Sequence, residues 1–358
     1  MKALVLSGGT GTRMRPVTYA LAKQLLPVAN KPVLFYALES IAAAGLKEVG
    51  IVIGETGPQV KKAVGDGSSF GLDVTYFPQA EPLGLAHAVL IARDWLGDDD
   101  FLMYLGDNFL SDGVTSFVGS FQTARPDAQA MLARVADPER YGVAELDTKG
   151  RLVRLVEKPK RPESDLAVVG VYLFTQVVHE AIEHIKPSWR GELEITDAMQ
   201  WLIDAGYNFG VHTLTGYWKD IGNVTDILEV NRAVLERLSP KVEGDVDDAS
   251  EIIGRVEITA GAKVRNSKIM GPAIITSGAD ISQSYVGPFT SIGENCQIGG
   301  SEIESSIVLP DTSIDGVRRV VRSFIGRNAE VTGPTSVPST YRFILGDHSR
   351  MQITSSDR

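Results

Sequence analysis

The sequence predicts an α/β protein with a mostly parallel, mixed sheet, followed by a C-terminal parallel β-helix of hexapeptide repeats. Three observations carry this. Apolar runs alternate with amphipathic stretches up to about residue 237. Branched apolar residues recur at five- and six-residue steps beyond residue 251. Between the two, the composition turns acidic and gains Pro and Gly. The expected division is a first domain at 1–238, a linker at 239–250, the β-helix at 251–335 and a C-terminal tail at 336–358.

In the first part, "KALVL", "VGIVI", "DVTYF" and "FLMYL" read as buried strands. "PVLFYALESIAAAG" reads as a helix, with Pro32 in its first turn and Gly45 at its stop. "GLAHAVLIARDWLG" reads as a second helix, ending at Gly97. Strand alternating with helix implies a largely parallel sheet covered on both faces. Ligands of such sheets bind beyond the carboxyl ends of the strands. The middle, about 128 to 220, is richer in strands: "AQAMLARV", "YGVAEL", "RLVRLVEKP" and "VVGVYLF". "NVTDILEVNRAVLERL" reads as a long helix with Asn223 as N-cap.

Beyond residue 251, Ile258, Val264, Ile269, Ile275, Ile281, Val286, Ile292, Ile298 and Ile303 step by five or six, and every third step sums to 17. Ile314, Val320, Ile325 and Val331 continue the register less perfectly. Three short strands per turn, each with one inward branched residue, make a parallel β-helix of about five coils. An antiparallel meander has no reason to keep the sum.

A formal net charge of -10 argues against wholesale binding of nucleic acid. The single cysteine, Cys296, cannot form an intramolecular disulfide and fits a reducing compartment. No apolar run is long enough for a bilayer, and a strand starting at residue 2 leaves no place for a leader, so the expectation is cytoplasmic.

The chemistry-bearing stretch is "LSGGTGTRMRP", positions 6 to 16, directly after the first strand. Its glycines leave backbone N–H groups free for an anion, and Arg13 and Arg15 add charge. It is neither a P-loop nor G-x-G-x-x-G, and a tight turn is the plain alternative. Lys23 sits in the apolar "AKQLLPVANKPVL", where a lysine needs an anionic partner or snorkels to water.

"LSGGTGTRMRPVTYALAKQLLPVANKP" closely resembles the signature of sugar-1-phosphate nucleotidyltransferases. "YFPQAEPLGLAHAV", "LGDN", "VEKP" with "GVY", and "YWKDIGN" agree in the family's order. "KQLLPV" and "RGELEITDA" are most similar to the glucose-1-phosphate thymidylyltransferase branch, and the appended coil resembles its long form. The resemblance implies a Rossmann-like nucleotidyltransferase domain and a left-handed β-helix. It implies dTTP and glucose 1-phosphate as substrates, Mg²⁺ as cofactor, dTDP-glucose and pyrophosphate as products, and a place at the start of dTDP-deoxysugar synthesis. A UTP-dependent pyrophosphorylase of the same family and a non-catalytic sugar-nucleotide sensor are the alternatives. A homo-oligomer with no nucleic-acid or membrane partner is expected.

Residue by residue, the resemblance implies that Arg13, Lys23 and Lys158 neutralise phosphate charge and that Asp107 and Asp220 hold Mg²⁺. Leu6, Gly8, Gly9, Thr10, Gly11, Thr12, Gln24, Pro82 and Gly84 would surround the nucleotide, with Gln79 reading the base. Asn108, Gly142, Glu157, Val169, Gly170 and Trp218 would surround the sugar phosphate. Such a transfer needs charge neutralisation and in-line alignment, not a general base. His87 and Ala22 depart from the short-form pattern, which has Gln and Ser there. His87 reads as a packing histidine, and Arg15 as either a partner of Arg13 or a solvent-facing charge. An acyltransferase site in the coil is disfavoured, because His348, the only histidine after residue 250, lies beyond the repeats.

Overall fold

The computed structural model describes residues 1–9, 11–334 and 347–352. They pack as two compact units, and the chain passes between them several times. One unit comprises Met1–Thr10, Ala22–Leu25 and Val33–Asp220; the other comprises Gly11–Leu21, Leu26–Pro32 and Ile221–Arg358.

The first unit is built on a nine-stranded mixed sheet. Strand Lys2–Ser7 lies at its centre, parallel to Glu48–Ile53 on one side and to Phe101–Leu105 on the other. Asp73–Pro78 extends the parallel half beyond Glu48–Ile53. Leu166–Phe174 turns the sheet antiparallel by pairing with Phe101–Leu105, and it continues into Gly142–Leu146 and Leu152–Glu157. Ala128–Arg134 also pairs with Leu166–Phe174 and takes Phe209–Thr213 as a parallel neighbour. The strands at the centre are buried along nearly their whole length, which is why they read as unbroken apolar runs.

Two expected helices differ in detail. The first begins at Val33, after Pro32, and runs to Ala43. Pro32 instead closes a short strand pair with Pro27. The second is two pieces, Leu85–Ile91 and Arg93–Leu96, broken at Ala92, whose N–H is shared between the carbonyls of Val89 and Leu90.

The second unit contains helix Val224–Leu235 and the coil. Asn223 caps the helix as expected: its side chain accepts from the Asp226 N–H, and the Asp226 carboxylate accepts from the Asn223 N–H. The coil has three parallel sheets, consistent with a left-handed β-helix. Ile258, Ile275 and Ile292 stack in one, Val264, Ile281 and Ile298 in the second, and Ile269, Val286 and Ile303 in the third. All nine are essentially buried and form one apolar column with Ala262, Ala279 and Cys296. Cys296 thus serves as a small core residue, and burial raises its thiol pKa.

The stretch expected to be a linker, 239–250, is part of this coil. Lys241–Val242 pairs parallel with Val256–Ile258, and Asp245–Val246 with Lys263–Arg265. Strand Glu251–Ile253 completes that turn by pairing with Lys268–Met270. Of the expected tail, 336–346 and 353–358 lie outside the described residues.

The second unit also holds a two-residue hairpin, Pro27–Val28 with Lys31–Pro32. Ala29 and Asn30 at its tip both have positive φ, the backbone of a tight hairpin turn. The Ala29 N–H donates to Oδ1 of Asn231 at 2.8 Å, and Asn30 Nδ2 donates to Thr276 Oγ1 and the Ile292 carbonyl. Asn231 is fully buried, accepts from Ser291 Oγ and donates to the Phe289 carbonyl. A polar network with each of these groups satisfied ties the hairpin to the coil.

Candidate active site

The first unit gathers most of the expected site residues at the carboxyl ends of its central strands. Strand Lys2–Ser7 ends in Leu6 and Ser7, and Gly8 and Gly9 follow. The Gly106 N–H donates to the Leu6 carbonyl at 2.9 Å, which brings the turn after Phe101–Leu105 against this loop. Gln24 is buried, and a β-carbon on Gly9 would stand 3.7 Å from its Nε2. The Ser7 Oγ and the Gln24 Oε1 are both buried and have no hydrogen-bond partner among the described residues. Buried polar atoms are normally satisfied, so two orphans beside a glycine loop mark where a polar ligand would complete the structure.

Lys23 is 8% exposed and ion-paired with Asp107 at 2.7 Å. That is the anionic partner its apolar surroundings require. The other Asp107 oxygen accepts from Asn108 Nδ2 at 3.0 Å. Asn108 Oδ1 in turn accepts from the Trp218 indole at 2.7 Å. Asp220 reaches the same place from the other end of the sequence: strand Trp218–Asp220 pairs antiparallel with Asn108–Leu110, and Asp220 is the register partner of Asn108. Gly170 makes room for this arrangement, since a β-carbon there would lie 2.9 Å from both side-chain polar atoms of Asn108. The pairing of Leu166–Phe174 with Ala128–Arg134 shifts register between Val168 and Tyr172, so Val169 and Gly170 lie in a bulge.

Glu157 and Gly142 face each other as register partners on neighbouring strands. A β-carbon on Gly142 would come within 3.3 Å of Glu157 Oε2. Thr196 Oγ1 donates to that oxygen at 3.2 Å, while Lys158 Nζ lies 3.2 Å and Arg190 Nη1 3.6 Å from Oε1. Lys158 has φ +42°, an uncommon left-handed backbone for a lysine, with its N–H held by the Tyr141 carbonyl. The Tyr172 hydroxyl pKa is pushed up first by burial and then by the charges of Glu157, Asp220 and Asp107.

Gln79 Oε1 faces Gly8: a β-carbon there would stand 3.3 Å from it. Pro82 is exposed in the following loop. The close approach that Gly84 permits is to protein backbone, since a β-carbon there would lie 2.4 Å from the Leu193 carbonyl oxygen. Its φ of +107° also disfavours any side chain.

Gly11, Thr12 and Arg13 belong to the other unit, and Thr10 lies outside the described residues. Within that unit Thr12–Met14 forms one short 3-10 turn and Arg13 is exposed. Arg15 stacks over the Tyr19 ring at 4.9 Å, which supplies the partner its sequence left open.

The sequence reading gave no role to Arg190, Glu194 or Thr196, although "RGELEITDA" was in view. Arg190 is surrounded by Glu157, Glu192 and Glu194. Glu194 is only 4% exposed; burial raises its pKa, while the Ser188 hydroxyl and Arg190 pull it down. Only the density of charge in that stretch pointed to them. His87, expected to be a satisfied packing histidine, has its Nδ1 3.0 Å from Gln79 Nε2.

A carboxylate in the turn before Asn108 and a second on the strand position paired with Asn108 fit a hard divalent cation that takes its remaining oxygens from water and phosphate. Among the described residues, no group of three or more His, Cys, Asp or Glu could form a closed metal cage. No helix among them is long and apolar enough to cross a membrane.

Residues 2–237 match the protein family described as Nucleotidyl transferase. A glucose-1-phosphate thymidylyltransferase of Streptomyces griseus is 60% identical over 99% of this chain and 100% of its own length. One from Streptomyces antibioticus is 59% identical over the same shares. A crystal structure from Bacillus anthracis, provisionally assigned as a glucose-1-phosphate thymidylyltransferase in complex with a sucrose, covers 68% of this chain and 98% of its own, at 34% identity and TM-score 0.62. The chain belongs to the nucleotidyl transferase family.

Proposed function

We propose that this chain transfers a thymidylyl group from dTTP to glucose 1-phosphate, giving dTDP-glucose and pyrophosphate. One observation carries the reading: the Lys23–Asp107 ion pair and the strand of Asp220 meet beside Asn108. The first group suits a polyphosphate with its cation, the Glu157–Gly142 pair a ring of hydroxyls. The similarity to the Streptomyces enzymes along the full chain supports the same substrates.

A phosphate oxygen of the sugar phosphate bonds to the α-phosphorus of dTTP. The bond from that phosphorus to the bridging oxygen breaks, and its electron pair leaves with pyrophosphate. The attacking oxygen is already anionic near neutral pH, so the residues serve to align and neutralise. Arg13 and the amides of Gly8 to Thr12 would hold the departing pyrophosphate, Lys23 the nucleotide phosphates, and Lys158 the incoming phosphate. Glu157, a carboxylate able to accept from two hydroxyls at once, would orient the sugar with Asn108, Gly142, Val169, Gly170 and Trp218. Leu6, Gln24, Gln79, Pro82 and Gly84 would hold the nucleoside. Asp107 and Asp220 would hold Mg²⁺, which supplies charge neutralisation at the α-phosphate. The β-helix would serve as a scaffold or as the contact of a homo-oligomer.

A competition tests this. Purified chain is given Mg²⁺, glucose 1-phosphate and equimolar dTTP, UTP, CTP, ATP and GTP, and products are identified by mass spectrometry. dTDP-glucose should dominate, with UDP-glucose second, because one methyl group is worth only about 1–3 kcal/mol in a pocket. A UDP-sugar as the main product would move the assignment to UTP, and no pyrophosphate at all would end it.

A further inference from the structure

An amide offers one acceptor oxygen and two N–H hydrogens. At Gln79 both hydrogens are engaged inside the protein when the His87 ring carries its hydrogen on Nε2. Gln79 Nε2 lies 3.3 Å from the Gly84 carbonyl oxygen, a group that can only accept. It also lies 3.0 Å from Nδ1 of His87, which accepts when the ring hydrogen is on Nε2. The oxygen is left turned toward Gly8. Rotating the amide by half a turn would set that oxygen against the Gly84 carbonyl and, with the ring hydrogen on Nε2, against the His87 lone pair as well. His87 comes from helix Leu85–Ile91 and is half-buried, so its ring is held by the same element that follows Gly84.

We infer that His87 is a positioning residue for base selection: it locks Gln79 so that only an acceptor oxygen meets the nucleobase, which admits pyrimidines carrying a hydrogen on N3 and rejects cytosine. The inference rests on the nucleotidyl-transfer reading above and deepens it. Thymine and uracil present an N3–H to that oxygen. Cytosine presents a lone pair at N3, so two acceptors would face each other with neither satisfied. The 5-methyl group plays no part in this contact, so discrimination between thymine and uracil does not pass through His87. The bland role, packing of the helix, would make no distinction among bases.

The test uses the full chain with Mg²⁺ and saturating glucose 1-phosphate. kcat/KM is measured for dTTP, dUTP and dCTP in the wild type, His87→Leu and His87→Gln. The dTTP-to-dCTP ratio should fall roughly tenfold or more in His87→Leu, the scale of one lost hydrogen bond at a specificity contact. The dTTP-to-dUTP ratio should hold. His87→Gln, whose amide oxygen can accept from Gln79, should recover most of the lost discrimination. Each ratio is taken within one preparation, so a misfolded fraction cancels. An unchanged dTTP-to-dCTP ratio in an active His87→Leu enzyme overturns the inference alone. A wild type that turns over none of the three nucleotides overturns the function and the inference together.

Discussion

In the sheet unit a strand's neighbours come from distant parts of the chain: Lys2–Ser7 lies between Glu48–Ile53 and Phe101–Leu105. In the coil each strand pairs with the next one about a turn further on, as Val264 does with Ile281 and Ile281 with Ile298. The difference separates two kinds of design. Long-range pairing brings unlike residues to one rim, which is what a reactive site needs. Nearest-neighbour stacking repeats one environment and suits a scaffold, with stability summed over adjoining turns. Substitutions at that rim should therefore change rate more than stability, and substitutions in the buried column of the coil should do the reverse.

Asp107→Asn gives the largest expected effect. The change keeps the shape, but it removes the charge that pairs with Lys23 and would hold the cation. Turnover should fall by about a thousandfold or more, the scale for losing a key electrostatic contact in a transfer reaction. Nucleotide binding, measured by calorimetry, should survive in large part, and Tm should fall only as far as leaving the buried Lys23 without its carboxylate requires, with the fold kept. Loss of folding together with activity would break the contrast drawn above.

Ile281→Ala tests the other side. Ile281 is fully buried in the apolar column and stacked between Val264 and Ile298. Truncating such a side chain costs about 2–5 kcal/mol through lost burial and the cavity left behind. Chemical denaturation should show that loss, together with a transition that starts in the coil. A fall in stability well under 1 kcal/mol would mean that the column does not behave as a packed core.

The same contrast governs what the sequence made legible. The coil could be read because one spacing repeats, and the stacked pairs follow it through Ile303. It was missed at its first turn. There Val242, Val246 and Ile252 pair with Ile258, Val264 and Ile269 at unequal separations, among acidic residues that face water. End turns of a stacked fold are atypical because they cover a core rather than continue it. In the sheet unit the strands were legible from their apolar runs. The site rim was legible only through motif resemblance, since no local pattern says that Asp220 will pair beside Asn108. Arg190 and His87 act through residues remote in sequence or across a turn, and spacing alone carries no sign of that.

The smallest expected effect again distinguishes the two regions, this time by pH. The strands of the coil, residues 241–332, contain no histidine. The sheet unit has His179, 6% exposed on helix Val177–His184 and stacked near Phe101. Burial, and then the charge of Arg93, lower its pKa below the ordinary 6.5, against the opposing pull of Glu183 and Asp98. A lowered folded-state pKa means the unfolded chain takes up the proton first. The stabilising contribution is therefore complete above about pH 6.5 and is lost as pH falls through the folded-state value. Melting followed from pH 7.5 to 5.5 should show the sheet unit losing stability as the pH falls. His179→Leu should flatten that limb while leaving the coil's transition where it was. If the variant keeps the full slope, the His179 imidazole is not its source, and His212 on strand Phe209–Thr213, whose pKa burial also lowers, is the next to replace.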